Sequence, residues 1–193
     1  MPENTSDRAE YFARLDTAWF RTHIASVLGN LSAGCAKKFA SVHPNATVSA
    51  ASALDLMVSR TNSVNVINAN NGGGVINMGN QYAAGYAVST EDYSMSASDY
   101  LARATLPGTT TSALTVGSSA ILLGSGYFSQ SPQDQGLTLL HEMLHVSGLG
   151  RGDVGLAQSL GIAGSSGLTV GNPGDGVQAS GLITDFLKND CPN

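Results

Sequence analysis

Apolar positions recur at two different periods along the chain. Between residues 7 and 31, Phe12, Leu15, Trp19 and Val27 form a stripe near helical period, and Asp7 and Glu10 have N-cap and N3 spacing. This predicts a first helix, with His23 at the edge of its buried stripe and Gly29, Asn30 and Gly34 ending it. Ala51, Leu54, Met57 and Val58 predict a shorter helix over 49–60. The period then changes. Ser63 to Asn68 alternates as a strand does, Asn70 to Gly74 is turn chemistry, and Val75 to Met78 reads as a returning partner in a hairpin. Tyr82 to Val88 fits a further strand broken at Gly85, and 90–105 fits either helix or loop. Leu114 to Val116 and Ala120 to Leu123 read as two more strands.

The clearest element follows. Ser131 stands where a helix cap should, Pro132 suits the first helical position, and Asp134 completes a spacing like that of a capping box. Leu137, Leu140 and Leu144 continue at helical intervals, and Gly148 or Gly150 should end the run. Val154, Leu156, Ala157 and Leu160 then start a new helical pattern. The chain thus divides into a mainly helical part (1–62), a strand-rich part (63–128) and a helical part (131–193), with no linker separating them. One domain of 193 residues is the simplest organisation.

Composition removes several functions. Charged residues make up 12% of the chain and the formal net charge is -5, so no basic footprint for nucleic acid exists. No apolar run reaches the roughly 18 residues of a membrane-spanning helix. The start Met1-Pro2-Glu3-Asn4 is polar and does not look like a signal peptide. Two cysteines, Cys35 and Cys191, lie near opposite ends. Their pairing would close most of the chain into one loop and imply an oxidising, extracellular destination. The other reading is two unpaired thiols.

The chemistry lies in the Ser131-capped helix. His141 and His145 are four residues apart, which puts both imidazoles on one helical face about one turn apart. Two such nitrogens can reach one Zn²⁺ at about 2.0–2.1 Å. Glu142 is rotated by about 100° from His141, so it is placed to take a proton from a water on the metal rather than to bind the metal. A chance His-Glu-x-x-His in a chain of this size is on the order of 1%, and this one also sits in a capped helix. The alternative is a surface helix whose two histidines face solvent.

A catalytic zinc takes three protein ligands and keeps one position for water. Asp153 is the favoured third ligand, because Gly148, Gly150 and Gly152 allow the chain to turn back under the helix. Its alternative role is N-cap of the following helix. Glu91, Asp92, Asp175 and Asp185 compete for the same place.

The strand Ser119 to Leu123, the helix with His141, Glu142 and His145, and the glycine Gly148 together resemble the zincin metallopeptidases. That resemblance implies an α+β fold in which a small twisted mixed sheet packs on the active-site helix, with further helices at the N- and C-terminal ends. It implies Zn²⁺ as cofactor and a peptide or protein as substrate. In zincins an edge strand ahead of the helix takes extended substrate by strand addition. Residues 119–128 would fill that role, with Ile121, Leu123 and Tyr127 as substrate contacts. Tyr127 and Arg151 are the candidate oxyanion stabilisers. The metzincin branch carries a third His or Asp where Arg151 stands, so the match is nearer to zincins with an aspartate ligand, with Asp153 two positions later than expected. The stretch 141–162 and the ending Phe186 to Cys191 are also similar to bacterial domains at the C-termini of RHS-repeat proteins, which would imply a released effector. The resemblance covers about the last 80 residues.

Overall fold

A computed structural model describes residues 32–42, 64–69, 75–77, 94–116, 120–148 and 152–191. The helices expected over 7–31 and 49–60, the strand over 82–88, and His23, His43, Glu91, Asp92 and Arg151 lie outside the described residues. In chain order the elements are α1 (Ala33–Val42), β1 (Asn65–Asn68), β2 (Val75–Asn77), β3 (Ser94–Ser96), α2 (Ala97–Ala104), β4 (Ala113–Val116) and β5 (Ala120–Leu123). There follow α3 (Ser125–Phe128), α4 (Pro132–Val146), α5 (Gly152–Ser159) and α6 (Pro173–Asn189). The class is α+β.

The main sheet has the order β1-β5-β4, with β1 parallel to β5 and β4 antiparallel to it. β5 is the sequence Ala-Ile-Leu-Leu, and every one of its residues is buried. An unbroken apolar run suits a strand covered on both faces. Ile121 and Leu123 face a core shared with α4, α5 and α6, while Ala120 and Leu122 face a second core around Tyr100 of α2. β4 alternates in step: Leu114 and Val116 turn to the Tyr100 side, and Ala113 packs toward α4.

Three expectations are corrected. β1 and β2 are not a hairpin: β1 pairs with β5, and β2 pairs with β3. An alternating pattern fixes which face of a strand is buried but not which strand lies beside it, and β1 gains burial for Val66 next to the apolar β5. Gly34 does not end a helix; it lies in the first turn of α1. β5 is the central strand rather than an edge, because β4 continues the sheet beyond it.

Other expectations hold. Ser131 caps α4, accepting from the Asp134 amide at 3.2 Å and donating to Asp134 Oδ2 at 2.7 Å. α4 ends at Val146, and Gly148 adopts φ 77°, a left-handed turn that favours glycine. Cys35 and Cys191 are bonded to each other, tying α1 to the residues just after α6. The same junction carries a Ser32 amide to Cys191 carbonyl bond of 2.7 Å, and Lys38 Nζ lies 4.6 Å from the Phe186 ring centroid.

Candidate functional site

α4 is buried nearly all round from Gly136 to Val146. His141 is 5% exposed and His145 9%, so the alternative of two solvent-facing histidines on a surface helix is wrong. Leu139, Leu140, Met143 and Leu144 anchor the helix at 0% exposure, each burial stabilising by about 1.5–3 kcal/mol. That anchoring fixes the direction of the two imidazoles between them.

Gly152, at the start of α5, has φ 71°. Asp153, in the first turn of α5, stands against both histidines. Asp153 lies inside that turn rather than at the residue before it, so it is not the N-cap. Its Oδ1 is 2.9 Å from His141 Nε2 and 2.8 Å from His145 Nε2, and the two Nε2 atoms are 3.2 Å apart. Burial pushes the Asp153 carboxyl up, but the charge and hydrogen bond of His141, and then those of His145, outweigh it and hold the group below the usual carboxylate range.

Ligand atoms about 2.0–2.1 Å from a tetrahedral ion stand about 3.3–3.4 Å apart. The two imidazole nitrogens, 3.2 Å apart, nearly match that spacing, while Asp153 Oδ1, at 2.9 and 2.8 Å, stands at hydrogen-bond distance and would have to draw back by about 0.5 Å to share an ion with them. The donor set, two imidazole nitrogens and a carboxylate oxygen, is one that zinc accepts. His141, His145 and Asp153 are therefore a group that could hold a metal ion. Three protein donors leave a tetrahedral ion one further position, which distinguishes an open site from a closed structural one.

The three donors and Glu142 all line a cleft of about 360 Å³. α4 forms its floor. Residues 109–114, the loop into β4 and the start of that strand, form one wall. The other wall is one face of α6, through Val177, Ser180, Gly181, Thr184 and Asp185. The opposite face of α6 buries Ala179, Ile183, Phe186 and Leu187.

Glu142 is 7% exposed, and one of its oxygens, Oε2, accepts from Thr115 Oγ1 at 2.6 Å. The same edge of the sheet is fixed to α4 a second time. Gln130 Nε2 donates to Ser112 Oγ at 3.1 Å, and Thr138 Oγ1 donates to Gln130 Oε1 at 3.0 Å. The wall also rests closely on α3: a Cβ at Gly126 would lie 2.8 Å from Ser112 Oγ.

The remaining candidates separate. Asp185 lines the cleft but is not grouped with the histidines. Asp175 accepts from the Thr169 amide at 2.8 Å, outside the cleft. Ile121 and Leu123 are 0% exposed on the central strand and point into the core, so they do not contact a substrate. Tyr127 is 1% exposed and absent from the cleft lining, and its hydroxyl has no hydrogen-bond partner among the described residues. It is a core aromatic, neither a substrate contact nor an oxyanion donor. Arg151 lies outside the described residues. Sequence reasoning missed Thr115, the 109–112 wall and the cleft face of α6. The Asn172-Pro173 helix start and the spacing of Ala179, Ile183 and Leu187 were signals for the last of these.

No family profile, curated protein or solved structure matches this chain.

Proposed function

We propose that this chain is a zinc-dependent endopeptidase of zincin type. The observation that carries the reading is the convergence of His141, His145 and Asp153 on one point at the floor of an open cleft, with Glu142 beside them. A bound zinc ion would polarise the scissile carbonyl and lower the pKa of a water at that point. Glu142 then accepts the proton of the attacking water and later passes it to the leaving amine. The edge strand β4 supports a peptide substrate, because it leaves one side unpaired among the described residues and runs along the cleft. An extended peptide could add there by main-chain hydrogen bonds. This moves the expected substrate strand from β5 to β4. The bonded cysteines are compatible with action outside the cell.

The rival is a zinc-stabilised binding or toxin-associated module without turnover. Metal analysis and cleavage of a mixed peptide library, with and without chelator, separate the two. The expected result is one zinc per chain and chelator-sensitive cleavage. Glu142→Gln should keep the zinc and lose roughly 10²–10⁴-fold in turnover, the usual contribution of a general base. Undiminished cleavage by that variant would remove Glu142 from the reaction. A zinc-loaded protein that cleaves nothing would favour the module.

A further inference from the structure

We infer that Thr115 is a positioning residue that aims the Glu142 carboxylate into the cleft. The inference rests on the peptidase reading and adds a residue that the zinc ligands and the base do not define.

Thr115 is 3% exposed, on the face of β4 that turns toward α4. Opposite it in the ladder is Ile121, which is wholly buried. At such a position an apolar side chain would cost nothing, whereas a hydroxyl without a partner costs about 1–3 kcal/mol. The hydroxyl here is partnered. It lies 2.6 Å from Glu142 Oε2 and 3.1 Å from the Glu142 carbonyl oxygen. With one proton to give, the hydroxyl donates to the closer oxygen, that of the side chain.

The consequence is directional. A glutamate has several free torsions, and a base loses rate when it leaves its working position. Thr115 is β-branched, so its χ1 is stiff and the strand sets the direction of its hydroxyl. With Oε2 fixed on Thr115, Oε1 is the oxygen left to meet the attacking water. β4 is also the strand proposed to carry the substrate. One element would thus set both the height of the peptide and the aim of the base. The Gln130 bridge from Thr138 holds Ser112, the residue just before β4, about 10 Å from Thr115 at some 3.4 Å per residue.

The test compares Thr115→Val, which keeps size and branching but removes the donor, with Thr115→Ser, which keeps the donor. The unaltered protein and Glu142→Gln run beside them. Thr115→Val should lose about 10- to 100-fold in kcat, less than removal of the base itself. KM should stay within about twofold and zinc content should be unchanged. Thr115→Ser should recover most of the lost kcat. A Thr115→Val protein with full kcat overturns the inference, and so does a loss that appears in KM or zinc content instead. Should Thr115→Val not fold, Thr115→Cys carries the comparison. Its thiol is a weaker donor of similar size, and its kcat should fall between Ser and Glu142→Gln; full kcat there overturns the inference equally. Absence of chelator-sensitive turnover in the unaltered protein removes the peptidase reading and this inference together, whereas a defect-free Thr115→Val in an active enzyme removes the inference alone.

Discussion

The candidate metal corner and the cleft beside it draw on the chain differently. His141, His145 and Asp153 lie within a sequence separation of 12, on one helix and the first turn of the next. The cleft walls come from residues 109–114 and 177–185, which meet only because the sheet and α6 both pack on α4. The corner needs a helix, a glycine turn and a carboxylate. The walls need the whole core, two polar links from the β4 region to α4, and a disulfide near the end of α6. On the proposed reading, a change confined to the walls would leave the three donors in place while removing the surface that would present a substrate.

The largest test acts on the corner alone. Asp153→Ala removes one of three donors and leaves two buried imidazoles facing each other. Outer-shell partners of a metal usually cost about 10- to 100-fold in affinity when removed, so loss of an inner donor should exceed 100-fold. A competitive chelator titration measures this directly. The fold of the metal-free variant should persist, since the core residues of α4 and α5 are untouched. Full zinc affinity in Asp153→Ala would transfer the third donor to another group, with Asp185 the first candidate in the cleft.

The next test acts on the walls. Cys35 and Cys191 are separated by 156 residues. Replacing both by serine should cost about 4–5 kcal/mol in the chain-entropy account of loop closure, read by denaturant unfolding. Because Cys191 lies two residues past the end of the helix that forms one wall, turnover should fall more than zinc affinity does in the same protein. An equal loss of both would mean that the corner depends on the long-range frame as much as the walls do, and the contrast drawn above would fail.

The same contrast explains what could be read from the residues alone. The corner was legible because its signals are local: a capping serine, a proline at the first position, two histidines four apart, and glycines where the chain must reverse. α4 appears with its start and stop close to expectation. The strands were legible as strands, since burial imposes alternation, but their partners were not. Nothing in Val66 and Ile67 says that β5, over 50 residues later, lies beside them rather than Val75 and Ile76. The edge position of β5 came from the zincin resemblance, which assigned substrate contacts to Ile121 and Leu123, and the pairing of β4 beyond β5 removes them. Thr115 looked like an ordinary strand threonine, and only the packing of β4 on α4 brings its hydroxyl to Glu142. Asp153 was ambiguous between cap and ligand, since both roles favour an aspartate after a glycine turn.

The smallest effect belongs to Tyr127, and it tests whether this residue serves the core or the cleft. Its hydroxyl is buried without a hydrogen-bond partner among the described residues, so Tyr127→Phe should be neutral or stabilising, by at most about 1 kcal/mol. Turnover should not change. A drop of tenfold or more would return Tyr127 to the reaction as an oxyanion donor. Alkaline pH gives a second reading. Burial pushes the Tyr127 phenol from its ordinary 10.0 up to about 12, and the Tyr100 phenol likewise. The folded state therefore holds these protons where the unfolded chain has released them. Their contribution is fully present below pH 10 and is lost as the pH rises toward 12. Melting temperature should fall across that window, and less steeply in Tyr127→Phe, which no longer carries one of the two protons. An identical slope in both proteins would mean that the Tyr127 phenol ionises as freely in the fold as in the open chain, which a ring 1% exposed should not allow.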